Sequence, residues 1–376
     1  MSELLEEGVN GDVVIAPMLD VTNTFERFML RQLSYKCILY SEMFVAETLM
    51  YSRYTDDIID FDPCEHPLAG QLGGNNPDHF AVAAKLLADR GYDEININCG
   101  CPSNLVSKKE FGAKLMLNPD LVRRIVDAIQ SVTSVPVTVK CRIGVDDNDS
   151  YEDLQNFITV VSGIRPSTYS EPVVDSSPCV SHFIVHARKC WTKGVNTREN
   201  RRIPPLRYEW VFQLLDDYPS IDFTINGGVS SFADMRDLLQ RESPKRHRRL
   251  RGVMIGRMAM QNPWLLRHVD EFFYNSPGPN LSRRQVIERY VDYVERMEKK
   301  HLKWKPNPAI VSKPLNTLFA GSQRGGSVFR GVLQKKLTEQ KLPFRQAVFE
   351  SLKCFDDSFL DAIDEADPSK LSDYSV

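Results

Sequence analysis

Residues 94–103 are Glu-Ile-Asn-Ile-Asn-Cys-Gly-Cys-Pro-Ser, in which apolar and amide side chains alternate before a loop that contains glycine and proline. The alternation over Glu94–Asn98 predicts a β-strand with both asparagines on one face. The apolar stripe of Asp78–Asp89 predicts a helix before this strand, and Pro119–Ile129 predicts one after it. A strand between two such helices is typical of a parallel sheet with helical crossovers.

The same pattern repeats along most of the chain. Short apolar runs, typical of strands covered on both faces, alternate with helical stretches such as Ala233–Leu239. Eight strands in about 245 residues predict an α/β fold, the (β/α)8 TIM barrel. A doubly wound sheet is the structural alternative, but no G-x-G-x-x-G follows the first strand. The predicted strands are Val13–Ala16, Cys37–Tyr40, Leu68–Gln71, Glu94–Asn98, Val137–Lys140, Phe183–His186, Phe223–Asn226 and Gly252–Ile255.

The sequence changes character after Phe273. A turn-rich linker at 275–280 precedes three amphipathic stretches, Ser282–Lys299, Gly326–Gln340 and Arg345–Cys354. The predicted parts of the chain are an acidic N-terminal extension (1–12), a TIM-barrel catalytic domain (13–275), a small C-terminal basic helical domain (281–355) and a loose acidic tail (356–376).

The composition is that of an ordinary globular protein. Of 376 residues, 42% are hydrophobic and 26% are charged, and no window approaches the roughly 18 consecutive apolar residues of a membrane span. The first twelve residues carry four acidic and no basic side chains, which is the wrong charge for a signal or transit peptide. We therefore expect a cytoplasmic monomer without membrane association, and an organellar location is the alternative.

The eight cysteines are scattered through a long chain, so we expect no disulfide framework. Zinc sites usually combine two close pairs of ligands, and here the one close pair of cysteines is Cys99 and Cys101. We therefore also expect no metal site.

The charge is unevenly distributed along the chain. The formal net charge of the whole chain is -3, which does not mark a nucleic-acid binder. Residues 281–355, however, contain sixteen Lys or Arg and six Asp or Glu, a net charge of +10. Association with a polyanion follows such local fields, so the helical domain is the predicted nucleic-acid surface.

Cys101 is the candidate catalytic residue. It follows the strand at Glu94–Asn98, on a loop that Gly100 allows to turn tightly and Pro102 stiffens. A thiol held there can give a proton to a carbon centre, or act as a nucleophile if its pKa is lowered. The alternative is a structural cysteine buried in a strand-to-loop turn.

Polar and small residues end the other predicted strands, where barrel enzymes place their active sites. Asn226–Gly228 and Gly256–Arg257 end the last two strands and can bind a phosphate through backbone N–H groups and the arginine. Alternatively, these glycines are plain turns and the strand-end cations pair with carboxylates. Together with Gln71, Lys140 and His186 they describe a site for an anionic, planar ligand with hydrogen-bonding edges, such as flavin mononucleotide (FMN).

The ordered set of motifs closely resembles the tRNA-dihydrouridine synthase family over the span from Val13 to Phe273. The segments 186–194 and 199–206 resemble the bacterial A-type subgroup, which modifies D-loop uridines at positions 20 and 20a of tRNA. The matching stretches are Ala16–Met18, Gln71–Gly74, Asn96–Ser103, Lys140–Arg142, His186–Arg188, Asn226–Gly228 and Gly256–Arg257.

The resemblance implies an FMN-dependent, NADPH-driven reductase of the C5–C6 double bond of a D-loop uridine. Hydride from the reduced flavin goes to C6, Cys101 protonates C5 from the opposite face, and the uridine must be flipped out of its stack. The implied flavin contacts are Pro17, Met18, Leu19, Gln71, Lys140, His186, Asn226, Gly227, Gly228, Gly256 and Arg257. The implied substrate contacts are Asn98, Arg142, Arg188, Asn200, Arg201 and Arg330.

The sequence departs from the subgroup in its C-terminal part and in two inserts. Ser327 stands where an arginine is expected beside Arg330, so Arg324 is the candidate substitute for that tRNA contact. Pro314 stands where the subgroup has helix-compatible residues. The inserts at 162–181 and 241–251 lie outside the common core.

Two other functions fit parts of the sequence. A flavin-dependent reductase of a free pyrimidine shares the barrel and the chemistry, but such a substrate does not need the basic helical domain. A noncatalytic tRNA-binding protein on the same barrel needs that domain, but it does not need Cys101, Lys140 and His186.

Overall fold

The computed structural model of the chain describes residues 11–103, 106, 109–167, 177–300, 307–319, 325–363 and 374–376. The described residues contain eight strands: β1 (Asp12–Ile15), β2 (Leu39–Val45), β3 (Leu68–Gly73), β4 (Glu94–Cys99), β5 (Val137–Arg142), β6 (His182–His186), β7 (Asp222–Asn226) and β8 (Gly252–Ile255).

All eight strands are parallel and form one sheet in the order β1-β8-β7-β6-β5-β4-β3-β2. The sheet closes because Val14 of β1 bridges Ile38, the residue directly before β2. This arrangement confirms the predicted (β/α)8 barrel. Its carboxyl strand ends lie together at one opening, which we call the mouth.

Seven predicted strands begin within one residue of the observed ones, and β2 is the exception. It begins at Leu39 rather than Cys37 and continues to Val45, although polar Ser41 and Glu42 interrupt its apolar pattern. The pairing with β3 shifts register between Tyr40 and Met43, so local alternation does not predict this strand's length.

Helices cover the outside of the barrel, as α4 illustrates. Asn76 accepts the hydrogen bond of an N-cap, Pro77 occupies the first turn, and Gly91 ends the helix with a φ of 98°. The helices are α1 (Thr24–Arg31), α2 (Ala46–Tyr51), α3 (Thr55–Ile58), α4 (Pro77–Arg90), α5 (Pro119–Gln130), α6 (Tyr151–Ser162), α7 (Tyr208–Asp217), α8 (Phe232–Gln240), α9 (Arg257–Gln261), α10 (Val269–Tyr274), α11 (Arg283–Lys300), α12 (Pro308–Leu318), α13 (Gly326–Thr338), α14 (Phe344–Leu352) and α15 (Asp357–Asp361). Short 3-10 turns lie at Pro63–Glu65, Gly112–Leu117, Glu199–Arg201 and Pro263–His268.

The C-terminal helices pack against the barrel through α11 and α1. The rings of Tyr293 and Phe28 stack with centroids 4.0 Å apart, and the Tyr293 hydroxyl lies 2.5 Å from the hydroxyl of Thr24. Arg296 forms an ion pair of 2.9 Å with Asp62 beside this contact. The helices therefore share one continuous hydrophobic core with the outside of the barrel.

Helix α12 was not predicted, and it contains the departure at Pro314. The helix begins with Asn307 as N-cap and Pro308 in the first turn, and it continues through Pro314 to Leu318. Proline removes one backbone donor from a helix interior, a loss of about 3 kcal/mol in isolation. Burial of Val311 and Leu315 in the core offsets part of that cost.

The expectation of a loose acidic tail is wrong for its described parts. Arg284 of α11 pairs with Asp357 and Asp361 at 2.5 and 2.6 Å. The ring of Tyr374 stacks on Phe232 of α8 with centroids 5.3 Å apart. Acidic composition predicts a loose tail. In the structure, two of its carboxylates pair with Arg284, and Tyr374 packs against Phe232 of α8.

The basic insert 241–251 lies at the end of the barrel opposite the mouth. Arg248 donates to the backbone carbonyls of Leu215, Tyr218 and Ile221, and Arg251 pairs with Asp12. Its cations thus serve local structure. In the other insert, residues 168–176 lie outside the described residues, as does Arg324.

All eight cysteines are unpaired thiols. Among the described residues, no group of three or more His, Cys, Asp or Glu side chains is placed to hold a metal ion. No helix in the same ranges is long and apolar enough to cross a membrane.

Candidate active site

Cys101 lies half-buried at the mouth, directly after β4. Its backbone N–H donates to Asn98 Oδ1 at 3.0 Å, and its carbonyl accepts from the N–H of Ala113 at 3.0 Å. Gly112 has a φ of 66°, and a Cβ there would lie 2.6 Å from the Cys101 carbonyl oxygen. The backbone on both sides of the thiol is therefore held, and only glycine at 112 permits this approach.

Gln71 and Asn98 lie side by side at the ends of β3 and β4. Asn98 Nδ2 donates to Gln71 Oε1 at 2.8 Å, and both residues are buried. The structure thus brings together the predicted flavin contact, the predicted substrate contact and the Cys101 loop.

Lys140 lies two residues before the end of β5 and points towards β7. Its Nζ donates to Asn226 Oδ1 at 3.1 Å, and Asn226 Nδ2 donates to the carbonyl of Met254 at 2.8 Å. Desolvation, followed by the charge of Arg142, lowers the pKa of Lys140 to about 8. Asn226 therefore orients the ammonium group of Lys140. A bound anion would stabilise this group, because burial has removed the water that would otherwise hydrate its charge.

His186 ends β6 and lies among several cationic side chains. Burial, followed by the charges of neighbouring cations, lowers the pKa of its imidazole well below the usual value, so the ring is neutral at pH 7. Its Nδ1 atom is buried without a hydrogen-bond partner among the described residues. Four cations act on this ring, and Arg257 lies near Arg201 and Arg188. We call these five side chains the mouth cations: Lys140, Arg142, Arg188, Arg201 and Arg257.

The glycines after β7 form a concave backbone beside His186. Gly227 and Gly228 have φ values of 110° and 77°, and a Cβ at Gly227 would lie 3.1 Å from the imidazole. The Tyr208 hydroxyl donates to the Gly227 carbonyl at 2.5 Å. Only glycine permits these positive φ values and the close packing of this backbone against His186 and Tyr208.

Two predicted substrate contacts instead support the loops of the mouth. Arg142 is buried and donates to the carbonyls of Gly100, Lys189 and Asn200 at 2.9, 3.1 and 3.2 Å. Asn200 is fully buried, and its amide bonds only to the backbone of Trp191 and Val195. Asn200 therefore holds its loop, and its role as a substrate contact stays a prediction. The guanidinium of Arg142 likewise ties the loop after β4 to two points of the loop after β6.

The remaining predicted residues lie at or near the mouth, with one exception. Pro17 and Met18 are partly exposed after β1, and Leu19 is 67% exposed. Arg188 donates to the Pro204 carbonyl, and Arg201 and Arg257 are exposed at the mouth. Arg330 is also exposed, but it lies on α13 of the helical domain.

Sequence reasoning missed Gly112, Tyr208 and Glu94. Glycine is a weak signal by itself, since most glycines are plain turns. Tyr208 begins α7 and Glu94 begins β4, so neither stands at a strand end of the mouth. Only the three-dimensional contacts connect them with the site.

We expect Lys140→Met to stabilise the ligand-free protein at pH 7. A lysine whose pKa falls from 10.5 to about 8 on folding destabilises the folded state wherever it stays protonated. Removing that charge should raise the free energy of unfolding by about 1–3 kcal/mol. The difference in the free energy of unfolding between variant and wild type should narrow as the pH rises from 8 towards 10.5. In this range Lys140 loses its proton in the folded protein but keeps it in the unfolded chain.

Urea denaturation between pH 7 and 9.5 measures this effect. Lys85→Met is the matched control, because Lys85 is largely exposed and pairs only with Asp89. We expect the control to change stability by less than about 0.5 kcal/mol. A destabilising Lys140→Met would contradict the desolvated ammonium group.

A closed (β/α)8 barrel with a thiol, three amides and five cations at its mouth defines the class of TIM-barrel enzymes. Residues 14–348 match the family model described as Dihydrouridine synthase (Dus). The chain belongs to the dihydrouridine synthase family.

Several relatives carry the name tRNA-dihydrouridine(20/20a) synthase. The chain is 44% identical to the one from Shewanella oneidensis over 281 residues, 75% of this chain and 77% of that protein. It is 42% identical to the Escherichia coli protein over 296 residues, 79% of each chain. It is 39% identical to the Synechocystis protein over 324 residues, 86% and 89% of the two chains.

Proposed function

We propose that this protein is a tRNA-dihydrouridine synthase that reduces D-loop uridines at positions 20 and 20a, with bound FMN as cofactor and NADPH as reductant. Family membership and the names of its relatives support the reaction. The observation that carries the proposal is Cys101, a half-buried thiol on a held loop at a mouth lined by cations.

The residues present fit FMN. His186 has a buried nitrogen without a hydrogen-bond partner, and the backbone at Gly227 and Gly228 beside it has the positive φ values of a phosphate-binding turn. When bound, FMN supplies the hydride that C6 of the uracil ring receives. The residues that would hold it are Met18, Gln71, Lys140, His186, Asn226, Gly227, Gly228, Gly256 and Arg257.

The protein's own contribution to the reaction is a proton and a binding site. The Cys101 thiol gives its proton to C5, and the thiolate that remains takes a new proton from solvent. Asn98 holds the loop and offers an amide to the base. The positive field of the mouth cations favours phosphate groups on both cofactor and RNA.

The helical domain supplies the surface for the rest of the tRNA. Many of its cations are engaged in ion pairs, such as Arg345 with Asp292 and Glu295 and Lys336 with Glu350. Arg330 instead stands exposed on α13, on the same face as Ser327. The net charge of +10 therefore overstates the cations that are free for RNA.

We expect Arg330→Ala to weaken tRNA binding roughly fivefold at low salt and to reduce the slope of log K against log salt by about one. Flavin reduction by NADPH should not change, because Arg330 lies away from the mouth. Arg345→Ala is the matched control, since it removes the same charge from a paired position. Equal losses of tRNA affinity in both variants would show that binding depends on the net charge of the helical domain and not on Arg330 in particular.

The decisive experiment combines a cofactor test with a substrate test. Purified protein is incubated with FMN, and its ability to convert unmodified tRNA with NADPH is measured by mapping dihydrouridine. We expect a yellow protein that modifies positions 20 and 20a, and these positions unmodified in cells that lack the protein. Failure to bind added FMN would exclude both flavin enzymes and leave a noncatalytic tRNA-binding protein. Equally efficient reduction of free uridine would favour a pyrimidine reductase.

The reductant, the monomeric state and the compartment stay predictions. Comparing NADPH with NADH in the same assay tests the first, and sedimentation of the holoenzyme tests the second. The proposed substrate requires a compartment that contains tRNA, and we propose the cytoplasm.

A further inference from the structure

A continuous series of hydrogen-bonded polar side chains, all buried except the half-buried Glu94, runs along the inside of the barrel. It begins at Glu94, the first residue of β4, and ends at Asn98, four residues and about 13 Å further along the strand. We call it the interior polar chain; its members are Tyr40, Glu94, Thr138, Asn96, Gln71 and Asn98.

Glu94 sets the direction of the hydrogen bonds at the end of the barrel opposite the mouth. One carboxylate oxygen of Glu94 accepts hydrogen bonds from the Tyr40 hydroxyl at 2.5 Å and from the Thr138 hydroxyl at 2.6 Å. Burial raises the pKa of Glu94, and these two hydrogen bonds oppose that rise. While Glu94 is ionised it can only accept, so Thr138 gives its hydrogen to Glu94 and the Thr138 oxygen remains an acceptor.

Each amide then has only one orientation that matches its neighbour. Asn96 Nδ2 donates to Thr138, so Asn96 Oδ1 accepts from Gln71 Nε2 at 2.8 Å. Gln71 Oε1 must then accept from Asn98 Nδ2 at 2.8 Å. Asn98 Oδ1 in turn accepts from the N–H groups of the Cys101 loop. A reversed amide at any step would face donor to donor or acceptor to acceptor.

The orientation decides what the mouth offers to a ligand. Asn98 Oδ1 already accepts two backbone hydrogen bonds, and one Nδ2 hydrogen is given to Gln71. Its second Nδ2 hydrogen is left for a bound ring. Gln71 similarly keeps one N–H and one lone pair for a ring with both a donor and an acceptor edge.

We propose that Glu94 and Thr138 are positioning residues. Together with the backbone N–H groups of Gly100 and Cys101 at the other end of the interior polar chain, they fix the direction in which Gln71 and Asn98 present their amides at the mouth. Asn98 then offers an N–H and selects a ring carbonyl oxygen over an amino group. This inference rests on the proposed function only for the identity of the bound rings, the flavin and the uracil.

The test is a pair of identical substitutions inside the barrel. Thr138→Val removes the acceptor that orients Asn96 while keeping the side chain's shape. Thr224→Val is the matched control, because Thr224 is also fully buried inside the barrel but bonds only to His182 Nε2, at 2.8 Å. Thr138→Ser restores the hydroxyl, and Thr138→Ala replaces the valine variant if that variant does not fold.

Two readouts are used, and only one needs the flavin. In the ligand-free protein, we expect Thr138→Val to shift or broaden the side-chain NH2 resonances of Gln71 and Asn98, with no such change in Thr224→Val. In the FMN titration, we expect Thr138→Val to weaken binding by about tenfold, and Thr224→Val and Thr138→Ser to stay within about twofold of wild type.

The outcomes separate this inference from the proposed function. Equal losses in Thr138→Val and Thr224→Val, or unchanged Gln71 and Asn98 resonances, would overturn the positioning role. A wild-type protein that binds no FMN would overturn the proposed cofactor, and the resonances would still decide whether the chain orients the amides.

Discussion

Replacing Cys101 with alanine should lower the rate of uridine reduction in tRNA by about 10²- to 10⁴-fold, the usual contribution of a positioned general acid. The thiol is the half-buried acid of a loop whose backbone is held on both sides, by Asn98 and by Ala113. Alanine keeps those backbone bonds. FMN binding and flavin reduction by NADPH should therefore stay within about twofold of wild type, while the step on the uracil ring loses its proton donor.

The neighbouring thiol provides the control. Cys99 lies two residues earlier on β4, is fully buried in the hydrophobic core, and burial raises the pKa of its thiol well above the usual value. Cys99→Ala should cost about 1 kcal/mol of stability and leave turnover nearly intact. Single-turnover measurements on unmodified tRNA with prereduced enzyme isolate the reduction of the uracil ring from the reduction of the flavin. A Cys101→Ala enzyme that keeps its rate would show that solvent or another group supplies the proton.

Arg142→Met is expected to have the second largest effect, on stability and activity together. The guanidinium holds the carbonyls of Gly100, Lys189 and Asn200, which belong to two loops of the mouth, one after β4 and one after β6. Methionine fills a similar volume but leaves these carbonyls without their donor. We expect the free energy of unfolding to fall by about 3 kcal/mol and turnover to fall by more than tenfold, because the Cys101 loop loses its anchor.

A second arginine with the same bonding pattern makes the control. Arg248 also donates to three backbone carbonyls, but it does so at the end of the barrel opposite the mouth. Arg248→Met should cause a similar loss of stability with little change in turnover of the folded enzyme. If Arg142→Met destabilises the protein but leaves turnover unchanged, Arg142 does not position the Cys101 loop.

The strands were predictable because their signal is local. Seven of them begin within one residue of their predicted starts, since an apolar run covered on both faces needs no information from distant residues. β2 was predicted too short because Ser41 and Glu42 resemble the end of a strand, whereas pairing with β3 carries the strand on to Val45. Helix α12 was missed because Pro314 breaks the local rule, and burial in the core offsets that break.

The sequence by itself determined the eight-strand pattern and the strand-end residues that gather at one mouth. Parallel strands of one sheet place their carboxyl ends together, so the positions of Gln71, Lys140 and His186 followed from periodicity. Only the tertiary structure decided which polar groups remain available there. Arg142 and Asn200 bind backbone groups that are distant along the chain, and Gln71 and Asn98 use part of their amides on each other. A side chain's chemistry is written in the sequence, but its remaining donors and acceptors depend on which partners the fold brings within hydrogen-bond distance.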